Sequence, residues 1–490
     1  MGIHIVRKAE LKNVSARYVK PAILINIHYR RNGGTLQTDK PPGEFQEILT
    51  KIRGLFGEPI FPNVQKGGQA DFETKTDPIG KIQFCSPYRI SPREEAERRR
   101  QIEKVIGCSP IQLSQSNFDS PVFFVPKPDS TLPLCMDYRA VNTIPVKDRC
   151  PLPHIEDLLN SMHGSCWFTQ LDSAAAYHQI RIATADRQKT AFTTTFGLYQ
   201  WQVLPVGLAN APSQFVLMMN GIMEPMKSKF IVVHLEIIVI HRSILAEHVI
   251  HVREVLTLLT EHGLKARHAK CAWACQKVDF CGFDIDVDGI HTQEHKTRVV
   301  MDWPQPENSK DVGGFLCLTS FHRKFSEQYA HIAIPLYTIG TPPKGKGDVG
   351  QRHGELRRIW HTPFSWGREC QHSFDMLQKA LYNTPVLALL DPNAKYCLHV
   401  DPSQYGFGAV RSEVQDKTEK VLGFFSCKLH DLETRYPAFD RELLRIRGAI
   451  LYWKFNLHRA KRPFWYTPTM QPCVGSSPNH TSPYVRWISR

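Results

Sequence analysis

The chain has 490 residues, of which 42% are hydrophobic. That is enough for several domains at about 100–200 residues each. Lys and Arg number 61 against 47 Asp and Glu, a formal charge of +14 at pH 7 that suits a polyanionic partner without selecting one. The longest apolar stretch, near Phe230–Ile240, is too short and too charged to cross a membrane, and no RNA-recognition-motif, zinc-finger or helix-turn-helix signature is present.

Residues 1–44 are basic and end in Asp39-Lys40-Pro41-Pro42-Gly43. They carry no Asp-Ser/Thr-Gly protease motif, no long apolar run of a signal peptide, and Val6 breaks the myristoylation pattern. An amphipathic stretch from Phe45 to Phe56 precedes a long charged helix predicted over Ser91–Val105. Two extended runs follow, Ser120-Pro121-Val122-Phe123-Phe124-Val125-Pro126-Lys127 and Cys135-Met136-Asp137-Tyr138-Arg139. Trp167, Phe168 and Leu171 mark an apolar strand that ends at Asp172, ahead of Ser173-Ala174-Ala175-Ala176-Tyr177-His178-Gln179. Leu204-Pro205-Val206-Gly207 opens a loop that enters a helix near Phe215. The run Ile231-Val232-Val233-His234-Leu235-Glu236-Ile237-Ile238-Val239-Ile240, taken alone, reads as a buried strand.

Further along come Phe280-Cys281-Gly282-Phe283, a turn at Asp288-Gly289-Ile290, and Trp303-Pro304-Gln305-Pro306. Gly340 to Gly350 is a Gly/Pro/Lys linker. Leu398-His399-Val400-Asp401 is a strand, and Arg435 to Leu444 an amphipathic helix with Glu442 near its start. No internal repeat stands out. The 13 cysteines are odd in number and scattered, which points to an intracellular setting, cytoplasm or nucleus. Cys271, Cys275, Cys281 and His268 lie close in sequence, but not at a zinc-knuckle or ribbon spacing; buried or free thiols are the favoured reading over a zinc site.

These motifs, in this order, resemble the reverse transcriptase and ribonuclease H region of a gypsy-class LTR retrotransposon pol polyprotein. The resemblance runs from roughly residue 45 to the end. In that family the turn at positions 234–237 reads Tyr-Leu-Asp-Asp; here it reads His234, Leu235, Glu236, Ile237. The resemblance implies that Asp172 and Glu236 hold Mg²⁺ for nucleotidyl transfer, which uses two ions roughly 3.5–4 Å apart bound through oxygen. Glu236 keeps the charge but reaches about 1.5 Å further than Asp. Ile237 has no oxygen, and His234 offers a nitrogen better suited to Zn²⁺. Misplacing a catalytic group by about 1 Å costs on the order of a hundredfold in rate, so polymerisation is expected to be impaired.

By the same resemblance Lys127 contacts the incoming triphosphate as a point charge, and Tyr177 closes over the sugar. Gly282 lies in the primer-grip hairpin. Pro133 stands where the family usually has an arginine, and Val206 where a nucleotide contact is usual. On residue type alone, Lys127 reads equally as a solvated loop lysine and Tyr177 as a half-buried tyrosine. Asp401 and Glu442 match the first two metal ligands of the nuclease. Pro468 replaces its third, and the fourth falls beyond Arg490, so RNA cleavage is not expected.

The expected fold is α+β: a right-hand polymerase followed by an incomplete ribonuclease-H-like α/β domain. Its segments are a basic N-terminal linker remnant (1–44), a lead-in (45–117), fingers and palm (118–290), a thumb-like part (291–338), a linker (339–362) and the nuclease-like part (363–490). The resemblance implies an RNA-directed DNA polymerase with Mg²⁺ as cofactor. Its partners would be RNA template, DNA primer, RNA–DNA hybrid and dNTP, with other element-encoded proteins as further candidates and no membrane. Two alternatives stay open: a non-catalytic nucleic-acid-binding protein, and a non-functional element remnant.

Overall fold

A capping box starts the first long helix. Ser91 N donates to Glu94 Oε2 at 2.7 Å while Glu94 N donates to Ser91 Oγ at 3.3 Å, and Pro92 fills the first helical position, where its missing N–H costs nothing. This is α1 (Pro92–Gly107). The computed structural model describes residues 47–48, 50, 53–56, 87–107, 110–125, 132–143, 153–226, 230–340, 364–402, 406–415, 418–429, 433–458, 465–468 and 485–486. Lys127, the segment 1–44 and most of the predicted linker lie outside these residues. The chain divides into two compact units, with the boundary between Val278 and Asp279.

In the unit before the boundary, β1 (Ile111–Leu113) joins β5 (Phe192–Thr194) and β6 (Gly197–Trp201) in one sheet of order β1-β6-β5. β2 (Val122–Phe124) pairs antiparallel with β3 (Leu134–Met136). Gln101 on α1 ties this hairpin down: its Nε2 donates to Leu132 O at 2.6 Å and its Oε1 accepts from Leu134 N at 3.1 Å. α2 (Ile155–Ser161) leads into the central sheet, of order β7-β8-β4-β9. It comprises β4 (Trp167–Asp172), β7 (Ile231–His234), β8 (Ile237–Arg242) and β9 (Ala272–Cys275).

β8 is buried along nearly its whole length, as a strand covered on both faces should be. α3 (Ala211–Met223) buries Phe215, Val216 and Met219, and α4 (Leu245–Glu261) buries Val249, Val252, Leu256 and Leu259, the i, i+3, i+7, i+10 spacing of one helical face. All but Val216 of these, with Ile48 and Leu55 from the predicted amphipathic stretch, belong to one core.

In the other unit, β10 (Val278–Phe280), β11 (Phe283–Ile285) and β12 (Ile290–Thr292) form an antiparallel sheet. Four helices share the next core: α5 (Glu294–Met301), α6 (Ser309–Phe321), α7 (Tyr329–Gly340) and α8 (Arg368–Tyr382), packed through Val300, Phe315, Leu336 and Phe374. Asn308 caps α6, accepting from Lys310 N and Asp311 N at 3.0 Å each. α7 ends at Gly340 and so includes Ile339 and Gly340, positions assigned above to the linker; Ile339 packs on this core, which carries the helix up to the glycine.

A five-stranded sheet of order β15-β14-β13-β16-β17 follows. It contains β13 (Lys395–Pro402), β14 (Gly406–Gln415), β15 (Thr418–Lys428), β16 (Trp465–Pro468) and β17 (Val485–Arg486). β13, β14 and β15 are antiparallel neighbours, and β16 lies parallel to β13. α9 (Ala438–Tyr452) and α10 (Lys454–His458) cover a core of Leu398, Val400, Phe407, Ala449 and Trp453.

The central sheet buries two histidines. His241 Nδ1 pairs with Ser165 Oγ at 2.9 Å and His248 Nε2 with Thr169 Oγ1 at 2.8 Å. Burial lowers both imidazole pKa values to about 4 from 6.5. The unfolded chain therefore binds more protons between these values, and the stability contributed above pH 6.5 is lost as pH falls towards 4. By linkage each histidine costs about 2 kcal/mol at pH 5 relative to pH 8. Urea midpoints should fall steadily from pH 7 to pH 5, with His248→Gln flattening the profile; a flat native profile contradicts this account.

Candidate active site

Asp172 is the last residue of β4, and the antiparallel register sets it opposite Ile237 on β8. His234 on β7 also pairs with Ile237, which leaves Leu235 and Glu236 as the hairpin turn. Leu235 adopts φ +52°, a left-handed conformation that costs a branched residue about 1–2 kcal/mol. The strain is held by the strands on either side and by Ser173 N, which donates to Glu236 O at 3.0 Å. Strand end and turn are thus fixed side by side.

Their side chains form one electrostatic group. Burial, followed by the charge of the Glu236 carboxylate, pushes the Tyr177 phenol pKa up. Glu236 is itself raised above the usual carboxylate range, first by burial and then by the charge of Asp172; Lys270 and Arg267 act in the opposite sense. Lys270 Nζ lies 3.5 Å from Asp172 Oδ2. Arg267 N donates to Asp172 O at 2.9 Å. The Tyr177 ring packs edge-on against Phe215, centroids 6.0 Å apart.

Gln179 holds these parts together from below. Only 1% exposed, it donates through Nε2 to Ala174 O at 2.6 Å and Lys265 O at 3.0 Å, and accepts from Lys265 N at 2.8 Å. One side chain therefore joins the loop after β4 to the segment after α4.

Asp172, Glu236 and Tyr177 are brought together as the sequence implied. Lys270 and Gln179 were not singled out as site residues. The signal for Lys270 was its place in a basic run with Lys265 and Arg267; Gln179 had none beyond its closeness to Tyr177. His234 is buried, and burial lowers its pKa. Val206 is 64% exposed.

In the other unit, Asp401 pairs with Gly408 near the end of β13, and Val400 faces Pro468 across the parallel register of β16. Pro468 therefore stands beside the strand that carries Asp401. Glu442 lies in the early part of α9, and Gly282 in the turn between β10 and β11.

Residues 125–285 match the reverse transcriptase (RNA-dependent DNA polymerase) family, and residues 366–464 the RNase H-like domain found in reverse transcriptase. The chain carries a reverse transcriptase domain followed by an RNase H-like domain. The Transposon Tf2-3 and Tf2-7 polyproteins of Schizosaccharomyces pombe (strain 972 / ATCC 24843) are 27% identical to it over 460 residues, 90% of this chain and 33% of each polyprotein. The chain thus spans about a third of the length of the curated relatives it matches.

The fold is shared with the foamy viral protease-reverse transcriptase. The TM-score is 0.72 to that protein in complex with RNA/DNA hybrid, at 18% identity over 90% of this chain and 59% of that one. It is 0.75 to the dRH form in complex with ds DNA, at 18% identity over 91% and 78%. The mixed helix-and-strand architecture is accordingly that of a polymerase followed by an RNase H-like domain.

The reverse transcriptase domain can be tested against the metal its family uses. Two Mg²⁺ ions need several carboxylate oxygens in near-octahedral geometry. Asp172 and Glu236 supply theirs, but Ile237, only 9% exposed, presents hydrocarbon at the next position. Among the described residues no group of three or more His, Cys, Asp or Glu could hold a metal ion. This donor set does not fit a two-ion centre.

Gln179→Ala should lower stability by about 2–4 kcal/mol, because buried backbone groups of two segments lose their partner. Denaturant titration reads the loss; a change under 1 kcal/mol would mean that water replaces the amide.

Proposed function

We propose that this chain is the reverse transcriptase–ribonuclease H portion of a gypsy-class LTR retrotransposon polyprotein, in a copy that binds primer–template but adds nucleotides poorly or not at all. The observation that carries the reading is the turn itself. Glu236 stands beside Asp172 in the expected register, while Ile237 is buried where the family places a second hairpin carboxylate. The partners are an RNA template, a DNA primer and their hybrid, with dNTP as the third ligand. The formal charge of +14 supports a polyanionic partner. Binding should weaken with salt at a slope set by the number of phosphates contacted.

The RNase H-like region is non-cleaving on this reading. It keeps Asp401 and Glu442 and has Pro468 in place of a third carboxylate. The chain acts inside the cell, in cytoplasm or nucleus; the nine free cysteines among the described residues fit a reducing compartment.

Primer extension on poly(rA)–oligo(dT), with Mg²⁺ and then Mn²⁺, tests the reading. The native chain should give little or no product, and the Glu236→Asp, Ile237→Asp double variant at least about a hundredfold more, the scale on which misplaced catalytic groups act. Efficient extension by the native chain would show that Glu236 suffices. Failure of both chains to bind primer–template would overturn the binding claim.

A further inference from the structure

The reading above makes no use of a charged cluster around the β10–β11 turn. Cys281 and Gly282 have φ +51° and +84°, the conformation of a type I′ hairpin turn. Lys296, on α5, donates from Nζ to Gly282 O at 2.9 Å and lies over the Phe321 ring, 5.1 Å from its centroid. Phe321 stacks on Phe283 with centroids 4.9 Å and planes 5° apart, and Lys324 Nζ sits 3.9 Å from the centroid of Phe283. A Cβ at position 282 would meet Lys296 Nζ at 2.3 Å and Phe321 Cζ at 3.2 Å. Glycine is therefore required there twice, for its φ and for the approach of the ammonium.

The groups that bear on Lys296 come from every element around it. Asp279 on β10, Asp284 on β11 and Cys281 in the turn favour its charge, while burial disfavours it. Lys296 and Lys324 both bear on His322, whose imidazole is buried. Asp284 Oδ1 accepts from Gln293 Nε2 at 3.3 Å. Even a half-buried ammonium loses hydration that its hydrogens must regain elsewhere. Here one of them is used on the backbone of a two-residue turn.

We propose that Lys296 is a positioning residue that locks the Cys281–Gly282 turn in the shape it presents to the primer strand. The proposal rests on the reading of this domain as a primer–template binder, whose family uses this hairpin as the primer grip.

The test compares the native chain with Lys296→Met, Lys296→Arg, Gly282→Ala and the Lys296→Met, Gly282→Ala double variant. Hydrogen exchange is followed across residues 278–285, and affinity is measured for a recessed-end RNA–DNA primer–template and for a blunt duplex of equal length. Lys296→Met should speed exchange at the turn by about tenfold or more. It should weaken primer–template binding by about five- to tenfold while blunt-duplex binding changes less than about twofold. Lys296→Arg should retain most of the affinity, and the double variant should be no worse than Gly282→Ala alone, because that change already breaks the Lys296 contact besides straining the turn.

Unchanged exchange, an equal loss for both nucleic acids, or single effects that multiply in the double variant would overturn the proposal. If Lys296→Met does not fold, Lys296→Gln takes its place: faster exchange at the turn with Lys296→Arg protected supports the lock, and native exchange in both refutes it. If the native chain binds no primer–template, the functional reading fails, and the exchange arm alone decides whether Lys296 fixes the turn.

Discussion

The antiparallel register that sets Asp172 opposite Ile237 fixes everything else at the candidate site. A slip of one residue would turn β8 over, sending its buried side chains to the other face and carrying the turn away from the strand end. The register is held by apolar residues that have no part in chemistry: Phe168 and Leu171 on β4, and Ile238, Val239 and Ile240 on β8, each at most 1% exposed. The carboxylates are placed by a core in which they take no part.

That separation means the residues at the strand end and turn can vary while the sheet keeps its shape. Three carboxylates at one strand end repel one another unless cations are bound between them. Here there are two, Asp172 and Glu236, and Lys270 lies 3.5 Å from the first while Tyr177 is close enough to the second to feel its charge. Ile237 adds a β-branched side chain to a buried strand, which suits the sheet. A residue that suits the buried strand is here one that offers no oxygen to a metal, the familiar opposition of stability and activity.

The fold was legible in the sequence wherever apolar periodicity or a capping pattern was strong. The helix expected over Ser91–Val105 appears as Pro92–Gly107: Ser91 and Glu94 announce its start, and Gly107 with Pro110 beyond it marks its end. The pairing of Asp172 with the hairpin turn followed from motif order, since no local pattern specifies which distant strand a given strand will join. Gln179 was invisible as a clamp: its three bonds run to backbone atoms of Ala174 and Lys265, and Lys265 lies 86 residues away. The role of Lys296 was hidden for the same reason. Its partner is a carbonyl oxygen, an atom every residue carries, and only the positive φ of Gly282 makes that oxygen accessible to it.

Binding and catalysis are therefore expected to decay at different rates in such a chain. Grip on a polyanion is spread over many cations, so the loss of one costs one step in a salt slope. Catalysis depends on a few oxygen atoms, each worth orders of magnitude in rate. The 61 Lys and Arg residues are a charge that no single substitution can erase, whereas one hydrocarbon side chain, such as Ile237, removes an oxygen from a turn. A shared fold by itself argues for neither the partner nor the reaction, because function follows the site and not the scaffold.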